Sequence, residues 1–379
     1  MAVACGVAVA NLYYNQPLLA DIGRTFHATA QQTGIISMCT QIGYALGMFL
    51  FVPLGDMHER RRMILILLVT VTLSLIAVAT AQNMLWMDLA SLAVGVTTVV
   101  PQMLVPLAAH MAAPEERGKV IGKVMSGLLI GVLLARTVAG FIGGSFGWRS
   151  MYWVAAFLML ALAVLLRMLL PESRPETKLT YQQLIKSIGH LIVEQRTLRE
   201  ASIIGAMSFG AFSVFWTVLA FFIEVPPYHY GSQVAGLFGL VGVVGAATAP
   251  IAGRFADRFS AKIVVGITIA ITLLSFLTFW LFGYHLWGLV LGVILLDLGV
   301  QGAQISNQAR IYSLVPEARN RLNTVYMVSY FIGGSIGSSL GTYAWSQWHW
   351  TGVCVVGILM IMVGLVVWSV PHKRLRVSP

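Results

Sequence analysis

Arg136 and Asp297 are the charged residues least at home in their surroundings. Arg136 follows Lys119 by about 17 residues of mostly apolar sequence, and Asp297 lies about 11 residues into a run that begins near Leu286. A charge in the middle of a membrane-length apolar run is expensive, and it persists where it meets a polar cavity or a partner. Arg136 in such a place can bind an anionic group, bias a neighbouring carboxylate, or lock helices together as a structural ion pair. Asp297 can change protonation as its surroundings open to one side or the other.

Asp297, Gln301, Gln304 and Gln308 recur at helical spacing, with Asn307 beside them, and form a polar stripe on an otherwise apolar segment. Such a stripe either lines a water-filled cavity or hydrogen-bonds to a neighbouring helix; the cavity is the expectation here. The first apolar run contributes Asn11, Tyr14 and Asn15, and a run in the second half contributes Phe212, Phe215, Trp216 and Thr217. Glu224, close to the end of that second run, reads as an interface charge. Enzymatic chemistry finds little support: the string nearest to H-E-x-x-H, His58-Glu59-Arg60-Arg61-Arg62, lacks the second histidine. No GxxxxGK[ST] loop that could cradle a nucleotide occurs either, so neither ATP nor any other cofactor is expected.

The elements that must carry these residues follow from composition. The chain of 379 residues is 58% hydrophobic, with mean hydropathy +0.82 and only 10% charged residues, against roughly 25% in a soluble domain. Apolar runs of about 20 residues, the length that spans a hydrocarbon core of about 30 Å, recur about twelve times. The first, Ala2 to Leu19, has no basic leading segment and is interrupted by Asn11, Tyr13, Tyr14, Asn15 and Gln16, so it reads as a spanning helix rather than a secretory signal. Cys5, Cys39 and Cys354 lie inside apolar runs and imply neither disulfides nor a metal site. The fold class is an all-α integral membrane protein.

The net charge of +10 acquires meaning from its placement. When the spans are numbered, all 24 basic residues except Arg24, Arg136 and Arg149 fall on one side. By the positive-inside rule that side is the cytoplasm, both termini face it, and nucleic acid is not a partner. The expected home is a bacterial inner membrane, and the expected partners are the lipid bilayer and a small solute, with the chain acting as a monomer.

An internal repeat appears at an offset of 202 residues, which superimposes Pro114, Glu115 and Arg117 on Pro316, Glu317 and Arg319, Gln102 on Gln304, Gly131 on Gly333, and Trp148 on Trp350; Asp56 meets Asp257 at 201. A constant offset across several spans indicates duplication of a six-span unit. Six spans return the chain to its starting side, so the two six-helix bundles should be related by a pseudo-two-fold axis along the membrane normal. The expected division is 1–170, a linker at 171–199, and 200–379. Within the linker, Leu184, Ile185, Ile188, Leu191 and Ile192 share a face opposite Lys186 and Arg196, an amphipathic helix that lies on the membrane surface. Glycines three or four apart, such as Gly127 and Gly131, Gly236 and Gly239, or Gly333 and Gly337, mark close helix contacts.

The string Gly55-Asp56-Met57-His58-Glu59-Arg60-Arg61-Arg62, with its counterpart Gly253-Arg254-Phe255-Ala256-Asp257-Arg258, resembles the loop motif of the major facilitator superfamily. The first copy has Val52 and Glu59 where that motif carries glycines. The resemblance implies a cytoplasmic ion-pair latch formed by Asp56, Arg60, Arg61, Asp257 and Arg258. Gly122, Gly131, Ala135-Arg136 and Ala139-Gly140 are similar to the glycine-rich motif of proton-coupled exporters, with Ala-Arg replacing its usual Gly-Pro. Such exporters often carry an arginine where this chain has Ser91, and Arg136 could supply that cation from the next span. Asn11-Leu12-Tyr13-Tyr14-Asn15-Gln16-Pro17 resembles the opening of a bacterial efflux-permease subgroup. The family arrangement implies that spans 1, 4, 7 and 10 surround a central cavity, with aromatic walls facing a polar stripe, a mixture suited to an amphipathic organic solute. The resulting expectation is alternating-access efflux of a drug or metabolite coupled to a proton gradient, with Asp297 or Arg136 as the charged centre. The competing expectation is an importer or facilitator in which Arg136 binds an organic anion.

Overall fold

Hydrocarbon offers no partner to a free N–H or C=O, so a chain of this composition satisfies its backbone within helices. The computed structural model describes residues 1–113, 116–172, 181–247, 260–315 and 318–370, and among them there are helices and no strands. The helices are α1 (Ala2–Ala10), α2 (Leu19–Phe26), α3 (Ala30–Met57), α4 (Arg60–Ala79), α5 (Met84–Thr97), α6 (Val100–Met111), α7 (Arg117–Phe146) and α8 (Trp148–Leu169). They are followed by α9 (Tyr181–Glu194), α10 (Arg196–Glu224), α11 (Ser232–Ala247), α12 (Ala261–Phe282), α13 (Leu286–Tyr312) and α14 (Arg319–Ser369). Among the described residues, nine helical stretches are long and apolar enough to cross a membrane. The longest, Arg319–Ser369, is broken at His349 (φ 51°, ψ −145°), where the sequence predicted the end of one span and the start of the next.

Local signals explain several boundaries. The Thr29 hydroxyl caps α3 by accepting from the Gln32 N–H, while the Gln32 side chain accepts from the Thr29 N–H, closing a reciprocal capping box. Asn83 Oδ1 accepts from the Trp86 N–H at 2.9 Å and starts α5. Gly147, at φ 84°, joins α7 to α8 in a backbone conformation that L side chains rarely adopt. The first apolar run is not continuous: α1 ends at Ala10, and a 3-10 turn at Gln16–Leu18 precedes α2. The polar residues between the two segments therefore sit at a break in the helix.

The repeat has a counterpart in packing. A β carbon on Gly131 would stand 2.2 Å from the Gly6 carbonyl oxygen, and one on Gly333 would stand 2.0 Å from the Ala206 carbonyl oxygen. Two glycines at the repeat offset thus seat α7 on α1 and the first arm of α14 on α10, each at backbone contact. Trp148 and Trp350, also at that offset, are buried and use their indole N–H alike, donating to Thr25 Oγ1 at 3.0 Å and to the Phe279 carbonyl at 2.9 Å.

Helices α1–α8 meet α10–α14 along two seams. In one, the would-be β carbon of Gly140 lies 2.4 Å from the Ser232 carbonyl oxygen and 2.8 Å from Gly236 Cα, Thr137 donates to the Gly236 carbonyl at 2.9 Å, and Gln233 donates to Ser145 at 3.2 Å. In the other, Gln41 donates to Ser338 at 3.0 Å and Ser335 donates to the Met38 carbonyl at 3.2 Å. These contacts fall in the halves of α3, α7, α11 and α14 farther from the basic loops. Arg24, whose partners are Asp21 and Glu224, closes the same end, so the charge of Glu224 at the end of α10 has an ion-pair partner. Near the basic loops, β carbons on Gly118 and Gly122 would meet nothing within 4 Å.

The linker helix α9 buries Leu184, Ile188 and Leu191 as its spacing predicted, whereas Ile192 is exposed. Ser187 contacts Arg321, which ties α9 to the start of α14. Of the expected latch, the Asp56 side chain, Asp257 and Arg258 lie outside the described residues. Arg60 Nε donates to the Gly55 carbonyl at 3.2 Å, and Arg61 donates to the Arg167 carbonyl at 2.6 Å with Glu172 at 4.0 Å.

Candidate functional site

Arg136 and Asp297 are each 1% exposed. Arg136 projects from α7 just beyond the crossing with α11, where Gly239 passes so closely that its β carbon would be 3.0 Å from Arg136 Cβ. The guanidinium Nε donates to Gln16 Oε1 at 2.6 Å, and Gln16 is presented by the break in the first run. Three rings surround the cation: Trp216 at 4.0 Å, Tyr13 at 4.9 Å and Phe212 at 5.4 Å from ring centroid to guanidinium carbon. Cation–π attraction of this kind strengthens as water is excluded. Nη1 and Nη2 are buried with no hydrogen-bond acceptor.

Asp297 stands on α13 with Oδ2 buried and likewise without a donor. Its carboxylate faces α11, where a β carbon on Gly242 would approach both oxygens to 3.3 Å. Arg136 and Asp297 lie within each other's field, and Tyr13 lies within the field of both, yet no direct ion pair joins them. Beside Arg136, a shallow recess is lined by Gln16, Pro17, Trp216, Leu219, Ala220 and Ala235. Two opposite charges are thus held beside one stretch of α11, with donors and an acceptor left over.

The other sequence candidates separate into distinct groups. Phe212 and Trp216 join the cluster around Arg136, whereas Phe215 stacks on Phe279 at 4.3 Å and against Trp350, inside the packing of α10, α12 and α14. Asn11 donates to Met159 Sδ at 3.2 Å and Asn15 to Thr40 at 3.1 Å, so both brace the interrupted run against its neighbours. Tyr14 is buried. The polar stripe on α13 divides: Gln304 accepts from Tyr330 at 3.3 Å, and Gln308 donates to Asn323 at 3.2 Å, so both half-buried side chains are tied to α14. Gln301 is half-buried. Asn307 is fully buried and accepts from Arg310, which also pairs with Glu200 at 2.7 Å, an ion pair inside α10 and α13.

Tyr13 and Gln16 went unrecognised as site residues. Their signal was available in the cost of an intramembrane arginine, which demands nearby acceptors and rings, and in their three-residue spacing within the most polar stretch of the first run. Gln41, Ser213, Thr217 and Ser338 form a second buried polar group, in which Ser213 donates to Gln41 Oε1 at 3.4 Å and the Thr217 and Ser338 hydroxyls lie 2.9 Å apart. Among the described residues no cluster of metal-ligating side chains occurs.

Comparison with known proteins fits this architecture. The family model of the major facilitator superfamily matches residues 1–249 and again 201–378. An uncharacterized transporter of Escherichia coli, YgaY, is 44% identical over 368 residues, covering 97% of this chain and 93% of the relative. A probable transporter of Streptomyces coelicolor is 33% identical over 375 residues, covering 99% and 87%. Among solved structures, the nucleoside transporter NupG superimposes with a TM-score of 0.78 at 14% identity over 97% of each chain, a likeness of fold. The chain is therefore a membrane transporter, not an enzyme, and belongs to the major facilitator superfamily.

Proposed function

We propose that this transporter works by alternating access and couples efflux of a small amphipathic drug or metabolite to proton entry, with Asp297 as the proton carrier and Arg136 as its electrostatic partner. The observation that carries this reading is the buried, unpaired opposition of Arg136 and Asp297 between α7 and α13. A carboxylate that alternates between a bound proton and a bound substrate group needs to be secluded, near a cation, and without a permanent partner. Asp297 meets all three conditions. The likeness of Gly122 to Gly140 to the exporter motif supports the outward direction, and the bacterial relatives support an inner-membrane setting.

In this reading the chain has twelve spans: the nine long stretches, the interrupted run at 2–26, α11, and the second arm of α14. They form two six-helix bundles, 1–170 and 200–379, joined by 171–199, with both termini in the cytoplasm and one chain as the working unit. The seams then lie at the periplasmic end, which makes the conformation inward-facing, and the loop motif residues Asp56, Arg60, Arg61, Asp257 and Arg258 become the latch that forms when the cytoplasmic end closes.

The test uses proteoliposomes holding a preset pH gradient and a trapped pH dye, to which lipophilic cations, organic anions, sugars and amino acids are added. Substrate-dependent collapse of the gradient in wild type, absent in Asp297→Asn, is the expected result. Solute movement without proton movement, or an Asp297→Asn protein that still exchanges, removes the antiporter. The facilitator for organic anions would then be favoured, with the two free η nitrogens of Arg136 as its anchor.

A further inference from the structure

We propose that the site between Arg136 and Asp297 takes a small zwitterion of the amino-acid class, its carboxylate on Arg136, its ammonium on Asp297, and its apolar or aromatic body against Tyr13, Phe212 and Trp216. The inference rests on the reading of these two residues as the centre of a transport site and names the substrate class that the site would accept.

The guanidinium has a defined free edge. Its Nε is engaged by Gln16, its faces are covered by the rings of Tyr13, Phe212 and Trp216, and the two η nitrogens remain buried without acceptors. Two parallel N–H donors on a planar edge match the two oxygens of a carboxylate, the bidentate geometry at which arginine excels. The opposite orphan is Oδ2 of Asp297, an acceptor with no donor. One unsatisfied donor edge and one unsatisfied acceptor, each on a buried charge, describe a ligand that carries both an anion and a cation.

The spacing suits a small molecule. Gly239 adjoins Arg136 Cβ and Gly242 adjoins the Asp297 carboxylate. These glycines lie three residues apart on one helix, about 4.5 Å along its axis. Arg136 therefore leaves α7, and the Asp297 carboxylate ends, against one short stretch of α11, and no direct ion pair quenches the two charges. A ligand with only a carboxylate would leave Asp297 buried without a partner, and a ligand with only an amine would leave the η nitrogens of Arg136 so. A zwitterion satisfies both and leaves the occupied site with no net charge to carry across the membrane. The rings of Tyr13, Phe212 and Trp216 stand beside Arg136, a surrounding that favours apolar and aromatic side chains over charged ones.

The experiment measures equilibrium binding to the purified protein in lipid nanodiscs. The probes are the proteinogenic amino acids, and, for the tightest apolar or aromatic binder, its deaminated acid and its decarboxylated amine; for phenylalanine these are 3-phenylpropionate and phenethylamine. At least one such amino acid should bind, with each single-charge analogue at least about tenfold weaker. In Arg136→Gln the amino acid and the amine should bind equally, and in Asp297→Asn the amino acid and the acid should bind equally. Arg136→Lys, which keeps the charge and loses the paired edge, should weaken the amino acid and stands in for Arg136→Gln if that variant does not fold. Binding of the acid or the amine as tightly as the zwitterion, or binding of none of the amino acids, overturns the proposal. The gradient assay separates this from the parent reading. Collapse driven by other solutes with no amino-acid binding leaves the antiporter standing and ends the zwitterion; amino-acid transport without proton movement does the reverse.

Discussion

Gly140 controls the seam between α7 and α11, and replacing it by alanine should shift the protein away from the conformation described here without unfolding it. The new β carbon would stand 2.4 Å from the Ser232 carbonyl oxygen, 2.8 Å from Gly236 Cα and 3.0 Å from the Gly236 nitrogen, all of them backbone atoms that no rotamer change can move. Relieving that overlap requires the helices to separate by about an ångström, and an over-packed contact of this kind costs about 1–3 kcal/mol. Because the seam joins α1–α8 to α10–α14, the cost is borne by the closed arrangement of that end and escaped when the end opens. The equilibrium should move about 5-fold to 150-fold toward the open arrangement. Ser145 and Gln233, whose side chains meet at 3.2 Å across the seam, provide the reporter. With Cys5, Cys39 and Cys354 replaced, cysteines at 145 and 233 should cross-link readily, and Gly140→Ala should slow that reaction in proportion to the closed fraction lost, up to the same factor. Gly131→Ala is the control: its β carbon would meet Gly6 at 2.2 Å within the α1 and α7 packing, so it should lower thermal stability and leave the cross-linking equilibrium of the surviving fold near wild type. An unchanged cross-linking rate in Gly140→Ala, or an equal change in both variants, would refute the assignment of this seam to conformational change.

Gln41→Ala removes the link from α3 to Ser338 and Ser213 in the other seam, worth about 1 kcal/mol, and should slow the 145–233 cross-link by up to about fivefold; no change would mean that the two seams open independently. Glu200→Gln leaves Arg310 buried beside a neutral partner, and loss of a buried pair costs up to about 3–5 kcal/mol, so the melting temperature in detergent should fall by several degrees. Recovery of stability in Glu200→Leu with Arg310→Met would identify the pair as structural, and an unchanged melting temperature in Glu200→Gln would remove it from the stability argument. Tyr228, in the connection between α10 and α11, donates its hydroxyl to the Gly283 carbonyl at 2.7 Å; burial first, and Tyr230 second, push its phenol from 10.0 up to about 12. A raised value favours the folded protonated form, so its contribution is complete below pH 10 and is lost as pH rises toward 12; Tyr228→Phe should flatten that part of the stability profile, and an unaltered slope would discount the residue.

The architecture was legible because the bilayer imposes few solutions. Membrane-length apolar runs could only be helices, the offset from Trp148 to Trp350 and from Gly131 to Gly333 reported a duplicated packing scheme, and the small residues marked the points where backbones touch. Arg136 and Asp297 were legible for the same reason, since a charge in hydrocarbon announces itself. What the sequence could not supply was direction around each helix axis. Gln304 and Gln308 share a stripe with Asp297, but the partners that fix each side chain differ: α14 offers Tyr330 and Asn323 to the two glutamines, whereas the Asp297 carboxylate lies against Gly242 of α11. Phe215 follows Phe212 by three residues, yet its ring finds Phe279 and Trp350, an aromatic stack within its own set of helices. Tyr13 and Gln16 were hidden for a different reason. Helical periodicity assigns faces only where a helix is continuous, and these two lie at the break between Ala10 and Leu19, where the chain leaves that period. The same break that conceals them from a periodicity argument runs on i→i−3 bonds, in which residues three apart eclipse, so the Gln16 amide and the Tyr13 ring reach the one guanidinium of Arg136 together, at its Nε edge and over its carbon.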